Sequence, residues 1–367
     1  MGTSNPVNSW IFLFIYTMRI TLLHTNPFHQ EIEDLILDII SNFKLNDFKL
    51  FEYHYPDFKW YKIFELKKLR DFIKDNKIDI IHTYAYSDAY YALLASKGLG
   101  VKVIYSCYFY HDELTGLNKR MFRYVIENVD SIIFQSDTQK NRFVSKYNLD
   151  SQKHFRLYHA FSFKRFDNFK FNSLRDEFFI DDFRYIIGTL GDFTPDHDVM
   201  NVLRMVKKLK KTGRNFTCLL AGEQIEEYDS YFDDCKYYYL VYGLDNYVNY
   251  IGCRYDTANY LSQLDAFVYH SDNEAIALPV MQALVSGVSV VVNDDEMIKE
   301  ITRNGKYASI YKSDDVSDFA EKTRNILTDI EDYQLIAETV KEECREIFSI
   351  DRHISGLREI YLEVNKF

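Results

Sequence analysis

Cysteine is scarce and follows no pairing pattern. The 367 residues hold five, Cys107, Cys218, Cys235, Cys253 and Cys344, with no C-x-x-C among them. That excludes a disulfide-built scaffold and a four-cysteine zinc site, and it fits a reducing cytoplasm. Proline is equally sparse, at five, and no Pro/Gly/Ser-rich linker divides the chain. No apolar run reaches the ~20 residues that a spanning helix needs. Basic residues are outnumbered, 44 Lys+Arg against 55 Asp+Glu for a net charge of −11, which disfavours a dedicated nucleic-acid binder. Trp10–Met18 is apolar, but no Lys or Arg precedes it and no small-residue cleavage site follows. It does not read as a signal peptide. Residues 1–17 read as an upstream extension, and the first domain begins at Met18.

What is present is a globular composition, 47% hydrophobic and 27% charged, long enough for two domains of roughly 150 residues each. Charge is uneven. Residues 1–170 hold 23 Lys+Arg and 19 Asp+Glu, a net +4; the remainder holds 21 and 36, a net −15. Opposite bias suggests two domains that face different partners. The 30 Tyr and 29 Phe read as compositional bias, not as a stacking device.

From Met18 onward, short β-rich runs alternate with amphipathic stretches. MRITLLH, DFKLFEY, IDIIHTY, KVIYSCY and SIIFQS predict strands, and the segments between them carry apolar residues at helical spacing. A loop over 160–183 precedes a second series of the same kind: RYIIGTL, NFTCLLAG, YVNYIG, DAFVYHS and VSVVVND, again with helices between. Residues 314–364 read as helices only. The fold class is therefore α/β, two doubly wound Rossmann-like domains facing a central cleft. The domains are placed at 18–165 and 184–345, with 346–367 a C-terminal helix returning to the first. Open sheets of this kind bind ligands at the carboxyl ends of their strands.

The most informative stretch is SDNEAIALPVMQALVSG, residues 271–287. Pro279 suits the first turn of a helix. Such a helix aims its free N–H groups and positive dipole end at the loop before it, a ready anion site. Glu274 lies in that loop, where a carboxylate can accept hydrogen bonds from ligand hydroxyls. Gln282 falls one turn into the helix. Ala275 and Ala277 are small enough to let a ligand approach the backbone. Taken alone, an acidic residue ahead of a buried helix is as often a simple cap.

The stretch resembles the signature of glycosyltransferase family 4, S-x-x-E-G-F-G-L-P-x-L-E-A-M-A-x-G-x-P-V-V, whose two glutamates stand eight positions apart. KIDIIHTYAYSDAYYALLASKGLGVKVIYS, DSIIFQSDTQKNRFVSKYNL, NFTCLLAGEQ, YGLDNYVNYIG and NYLSQLDAFVYHS are similar to further family segments, in the same order, so the resemblance spans nearly the whole chain from residue 18. It implies a GT-B fold and a metal-independent retaining enzyme. No cofactor is expected beyond the donor itself, a nucleotide diphosphate sugar held by the second domain. The acceptor, a glycan or lipid-linked glycan, is expected on the first. By position Glu274 would bind sugar hydroxyls and Gln282 the ribose. The amides of Ala275, Ile276, Ala277 and Leu278 would hold the sugar and diphosphate.

The departures concern charge. The family's G-R-x-x-x-x-K-G loop falls on Gly191-Asp-Phe-Thr-Pro-Asp-His-Asp198, so Asp192 replaces its arginine and His197 its lysine. His197 is then the candidate for meeting a phosphate, best when protonated; its ordinary pKa is ~6.5 and a bound diphosphate would raise it. The family's first-domain histidine falls on Tyr108, with His111 three residues on as its candidate substitute. His159-Ala160 replaces an Asn-Gly pair, and Asn26-Pro-Phe-His-Gln30 replaces a glycine-rich loop. Arg254 is the nearest cation able to supply the lost charge, unless it only pairs with Asp256.

Basic and aromatic residues also cluster at Lys59-Trp60-Tyr61-Lys62, Lys67, Lys68, Arg70, Lys74 and Lys77. The first reading is a solvated helix face; the second is peripheral contact with the inner face of a membrane carrying the acceptor. Two functions follow: an active glycosyltransferase, and a glycosyltransferase-like binding or partner subunit that has lost catalysis.

Overall fold

The computed structural model describes residues 18–24, 30–43, 48–54, 62–272 and 275–366. Twelve strands are formed: β1 (Met18–His24), β2 (Phe48–His54), β3 (Ile80–Thr83), β4 (Lys102–Cys107), β5 (Ser131–Phe134), β6 (Phe155–Arg156), β7 (Tyr185–Leu190), β8 (Phe216–Ala221), β9 (Val248–Gly252), β10 (Ala266–Tyr269), β11 (Val290–Asn293) and β12 (Ser309–Tyr311). The helices are α1 (Gln30–Asn42), α2 (Lys62–Asp75), α3 (Tyr86–Ser96), α4 (Gly116–Asn128), α5 (Asp137–Tyr147), α6 (Lys164–Asp167), α7 (Leu174–Glu177), α8 (Val199–Lys210), α9 (Asp229–Val241), α10 (Thr257–Leu261), α11 (Leu278–Ser286), α12 (Glu296–Ile301), α13 (Val316–Thr328), α14 (Ile330–Ile347) and α15 (Ile350–Val364).

The strands form two parallel six-stranded sheets, ordered β2-β1-β3-β4-β5-β6 and β12-β11-β10-β7-β8-β9. Strands of such sheets are buried on both faces and read as continuous apolar runs; β10 and β11 are buried at every position. The chain divides into two compact units. One runs to Ser106 and adds Leu114–Ile132 and the residues from Ile360; the other holds Cys107–Glu113 and Ile133–Glu359. In the first unit, Ile73, Ile81, Ala92 and Val103 pack α2 and α3 onto the sheet. There the fully buried His82 is fixed from both ring nitrogens, by the Tyr361 hydroxyl at 2.7 Å and the Ser106 hydroxyl at 2.8 Å.

Renumbered from its own start, the second sheet runs 3-2-1-4-5-6, so its strand order reverses between β7 and β10. Loops leaving such neighbours diverge and leave a crevice at their carboxyl ends. Gly188 permits the close packing of α10 on β7: a Cβ there would stand 2.4 Å from the Tyr260 hydroxyl. The helix α11 is anchored by Val280, Met281 and Leu284, which share one buried cluster with Val340 and Cys344 of α14 and with Phe348.

Five elements are additions to the predicted set: β6, α6, α7, α12 and β12. The segment expected to be a loop over 160–183 holds α6 and α7, each a single turn. Residues 1–17, the loop 25–29 that replaces a glycine-rich segment, and Lys59-Trp60-Tyr61 lie outside the described residues.

Candidate active site at the second switch point

The site grows from the loop after β7. Gly191 takes φ +157 and donates its N–H to Ala221 O at 2.9 Å. Gly222, at the end of β8, faces it so closely that a Cβ there would sit 1.9 Å from Gly191 O. Asp192 accepts the Glu223 N–H at 2.8 Å and Phe193 donates to Glu223 O at 2.9 Å. The carboxylate standing where the family places its arginine therefore clips the β7 loop to the β8 loop. Gly222→Ala is expected to push the two loops apart, costing roughly 1–3 kcal/mol as overpacked substitutions do. Thermal unfolding would check this.

His197 folds back over this glycine. Its Nδ1 and Cγ lie 3.1 and 3.2 Å from where a Gly191 Cβ would be, so any larger residue there would press on the ring. The half-buried ring lies 5.9 Å from the Tyr269 ring of β10.

The loop after β10 is tied to the same segment. Ser271 donates its hydroxyl to Asp196 O at 3.0 Å, and the Asp272 N–H donates to the same oxygen at 3.1 Å. Asn293 at the end of β11 grips Ser271 twice, accepting its N–H at 3.2 Å and donating to its carbonyl at 2.8 Å. His270, buried beneath, receives the Tyr311 hydroxyl (2.6 Å) and the Asn201 amide (2.9 Å) at Nδ1. That leaves the ring proton on Nε2, 3.8 and 3.7 Å from the Asp198 and Asp272 carboxylates. Sequence reasoning missed His270, Asn201 and Asn293. The signal was weak: His270 and Asn293 are single polar residues at the carboxyl ends of otherwise apolar strands, and Asn201 is a polar residue in the first turn of α8.

The helix α11 begins where Pro279 predicts. Its N-cap, Ala277, offers no side-chain acceptor. The Met281 N–H is the first to reach a carbonyl of the helix, Ala277 O at 3.0 Å. The amides of Ala277, Leu278 and Val280 therefore start the helix without intrahelical partners, and Pro279 has none to satisfy. Ala277 is fully buried and Ala275 nearly so, while Ile276, Leu278 and Gln282 are half-buried. The Gln282 side chain makes no hydrogen bond to another described residue. Gly287 ends the helix at φ +80. Glu274 lies outside the described residues; Asp272 and Ala275 bracket it.

The other expected cations are placed differently. Arg254 donates to both oxygens of Asp256 at 2.8 and 2.7 Å and to Glu177 at 2.6 Å. The guanidinium is held between two carboxylates, that of Asp256, the pairing read from the sequence, and that of Glu177. His111 stands at φ +56 in the segment after β4, its ring 5.9 Å from that of Phe109. Burial lowers its pKa to about 4, against the pull of Asp112, so it is neutral near pH 7. On α2, Arg70 donates to Ala95 O and Lys97 O at 2.6 and 2.9 Å, and Lys68 pairs with Glu65 at 2.6 Å. Among the described residues, no helix is long and apolar enough to cross a membrane.

Comparison with known proteins agrees with this geometry. Residues 27–161 match the family model described as Glycosyltransferase Family 4, and residues 170–343 match that described as Glycosyl transferases group 1. The chain is 22% identical over 330 residues, 87% of its length and 82% of the other's, to N-acetyl-alpha-D-glucosaminyl L-malate synthase from Bacillus anthracis. A glycosyltransferase from Rickettsia africae superposes with a TM-score of 0.81 at 17% identity, covering 95% of this chain and 98% of that one. HepE from Anabaena, solved with UDP and glucose, gives 0.78 at 14% identity over 94% and 100%. Two parallel sheets with these orders define a GT-B protein. The chain belongs to the family 4-type glycosyltransferases.

Proposed function

We propose that the chain is a retaining glycosyltransferase that moves a sugar from a nucleotide diphosphate sugar to a glycan or lipid-linked glycan, without a metal ion. The observations that carry this are the uncapped start of α11 and the bonds from Ser271 and Asp272 to Asp196 O, which tie the loop after β10 to the loop holding Gly191 and His197. The diphosphate would lie there against the amides of Ile276, Ala277 and Leu278, with Ala275 and Gly191 giving it room. Glu274 would hold the sugar hydroxyls and Gln282 the ribose. Relatives support the donor class, since HepE was solved with UDP and glucose.

In the step itself the bond from the anomeric carbon to the phosphate oxygen breaks and its electron pair passes to the diphosphate. The acceptor hydroxyl bonds to that carbon on the same face and gives its proton to the departing phosphate oxygen. The protein's task is to stabilise the growing negative charge with fixed dipoles. Here the helix start and a protonated His197 do so, because Asp192 is committed to the Glu223 amide and Arg254 to two carboxylates.

His197→Ala is expected to weaken UDP binding by about tenfold near pH 6 and only slightly near pH 8, since the ring is charged only below its pKa. Calorimetric titrations at the two values check this; an effect equal at both would exclude a protonated imidazole. A panel of UDP-, GDP- and ADP-sugars tests the reading as a whole, and failure of every one to bind would end it. Binding without turnover on any acceptor would favour the second reading, a partner subunit that has kept the fold and lost the chemistry.

A further inference from the structure

One face of the second sheet carries a cavity that begins at Phe193, in the loop after β7, and runs beneath α9. It measures about 290 Å³ and lies under α9, between α8 and the β8–β9 edge. Leu203, Leu220 and Val248, all nearly inaccessible, form its floor. Phe193, Phe232 and Tyr250 form an aromatic wall, their rings packed edge to face at 5.0, 5.0 and 5.5 Å. The roof is loosely seated, for Cys235 is the one fully buried residue among the thirteen of α9. Tyr250 and Lys236 line the cavity and are exposed, so it opens to solvent beside them. Lys236 is the only charged side chain in the lining, and it forms no ion pair with a described residue.

We propose that this cavity is a binding site for a small anionic aromatic molecule, two fused rings bearing a carboxylate. Size argues for the rings: a dry apolar cavity of roughly 150 Å³ accepts benzene, and this one is about twice as large. The aromatic wall offers ring edges, and planar ligands stack or meet such edges favourably. Charge argues for the carboxylate, because the lysine at the rim has no anion of its own. The site needs neither the start of α11 nor His197, so it stands whether or not the proposed donor chemistry does.

The test is calorimetric titration of the full chain, without nucleotide sugar, using 2-naphthoate and its uncharged analogue 2-naphthalenemethanol. One equivalent of 2-naphthoate is expected to bind, about fivefold more tightly than the alcohol, the strength of an exposed ion pair. Lys236→Glu, an exposed substitution that leaves the fold alone, is expected to reverse this order. Leu203→Trp is expected to fill the cavity and remove binding of both; if that variant does not fold, the lysine variant still decides. Affinity weaker than about 1 mM for both ligands, or a preference for naphthoate that survives Lys236→Glu, would overturn the proposal.

Discussion

Glu274→Ala is expected to lower turnover of a nucleotide sugar by about 10²–10³-fold, the range seen when one pre-placed electrostatic or hydrogen-bonding group is removed from a transfer site. The expectation rests on position. Ser271 and Asp272 are held to Asp196 O, and Ser271 is held again by Asn293. Five residues after Asp272 the chain reaches Ala277, the N-cap of a helix whose first amides have no side-chain cap. Glu274 falls in the sequence between these fixed points, a position that suits a group proposed to orient sugar hydroxyls. Gln282→Glu should behave oppositely. It restores a charged acceptor for a ribose hydroxyl, and charged acceptors make bonds roughly twice as strong as neutral ones. Donor affinity should then be unchanged or a few-fold higher. Steady-state kinetics of both variants with the donor that binds best would check this. A fully active Glu274→Ala variant would show that the reacting centre lies elsewhere.

The sequence discloses some features of this site better than others, for physical reasons. Pro279 and Gly287 bracket α11 because proline suits the first turn of a helix and glycine its left-handed end, and both signals are local. The alternation of apolar strands with helical periodicity likewise comes from local patterning, and it delivers the α/β class. Strand order is different. Nothing in RYIIGTL or DAFVYHS says that β7 and β10 pair while β9 lies at the edge, and the switch point depends on that pairing. Short elements also escape: β6 is two residues long, and β12 is three with a weak pattern. The carboxylate of Asp192 reads from sequence as a charge reversal in a phosphate loop. In three dimensions it is a bridge to the Glu223 amide, a partner 31 positions away. Arg254 illustrates the same limit, since Asp256 is a visible neighbour whereas Glu177 is brought near only by the fold.

Acidification below pH 6.5 is expected to destabilise the second unit steeply, and His159 and His353 are the main cause. Both are almost wholly buried. Burial lowers the His159 pKa to about 3, with His353 acting in the same direction, and lowers that of His353 to about 4 against its bond to Tyr158 O at 2.8 Å. The His159 ring lies between aromatic rings, Tyr108 at 6.0 Å and Phe161 at 4.9 Å, and its Nδ1 meets no hydrogen-bond partner among the described residues. A proton there would be both desolvated and unmatched. In the unfolded chain each ring takes its proton near pH 6.5. Folded pKa values below that mean stability that is complete above pH 6.5 and is lost as pH falls toward 4 and then 3. The slope is about 1.4 kcal/mol per pH unit for each ring, so about 2.7 for the pair. Two pH units would then remove about 5 kcal/mol, a large share of the 5–15 kcal/mol that holds a typical domain together. Carboxylates whose pKa is lowered by ion pairs or hydrogen bonds, such as Asp256 and Asp294, destabilise the protein on acidification too, at lower pH. His154, whose pKa burial also lowers to about 4, adds its own slope. Wild type alone therefore cannot assign the effect; a difference can. The double variant His159→Asn, His353→Gln should start with a lower Tm at pH 7.5 and lose less of it by pH 5. Parallel Tm curves for the two proteins between these values would mean that neither buried ring resists its proton.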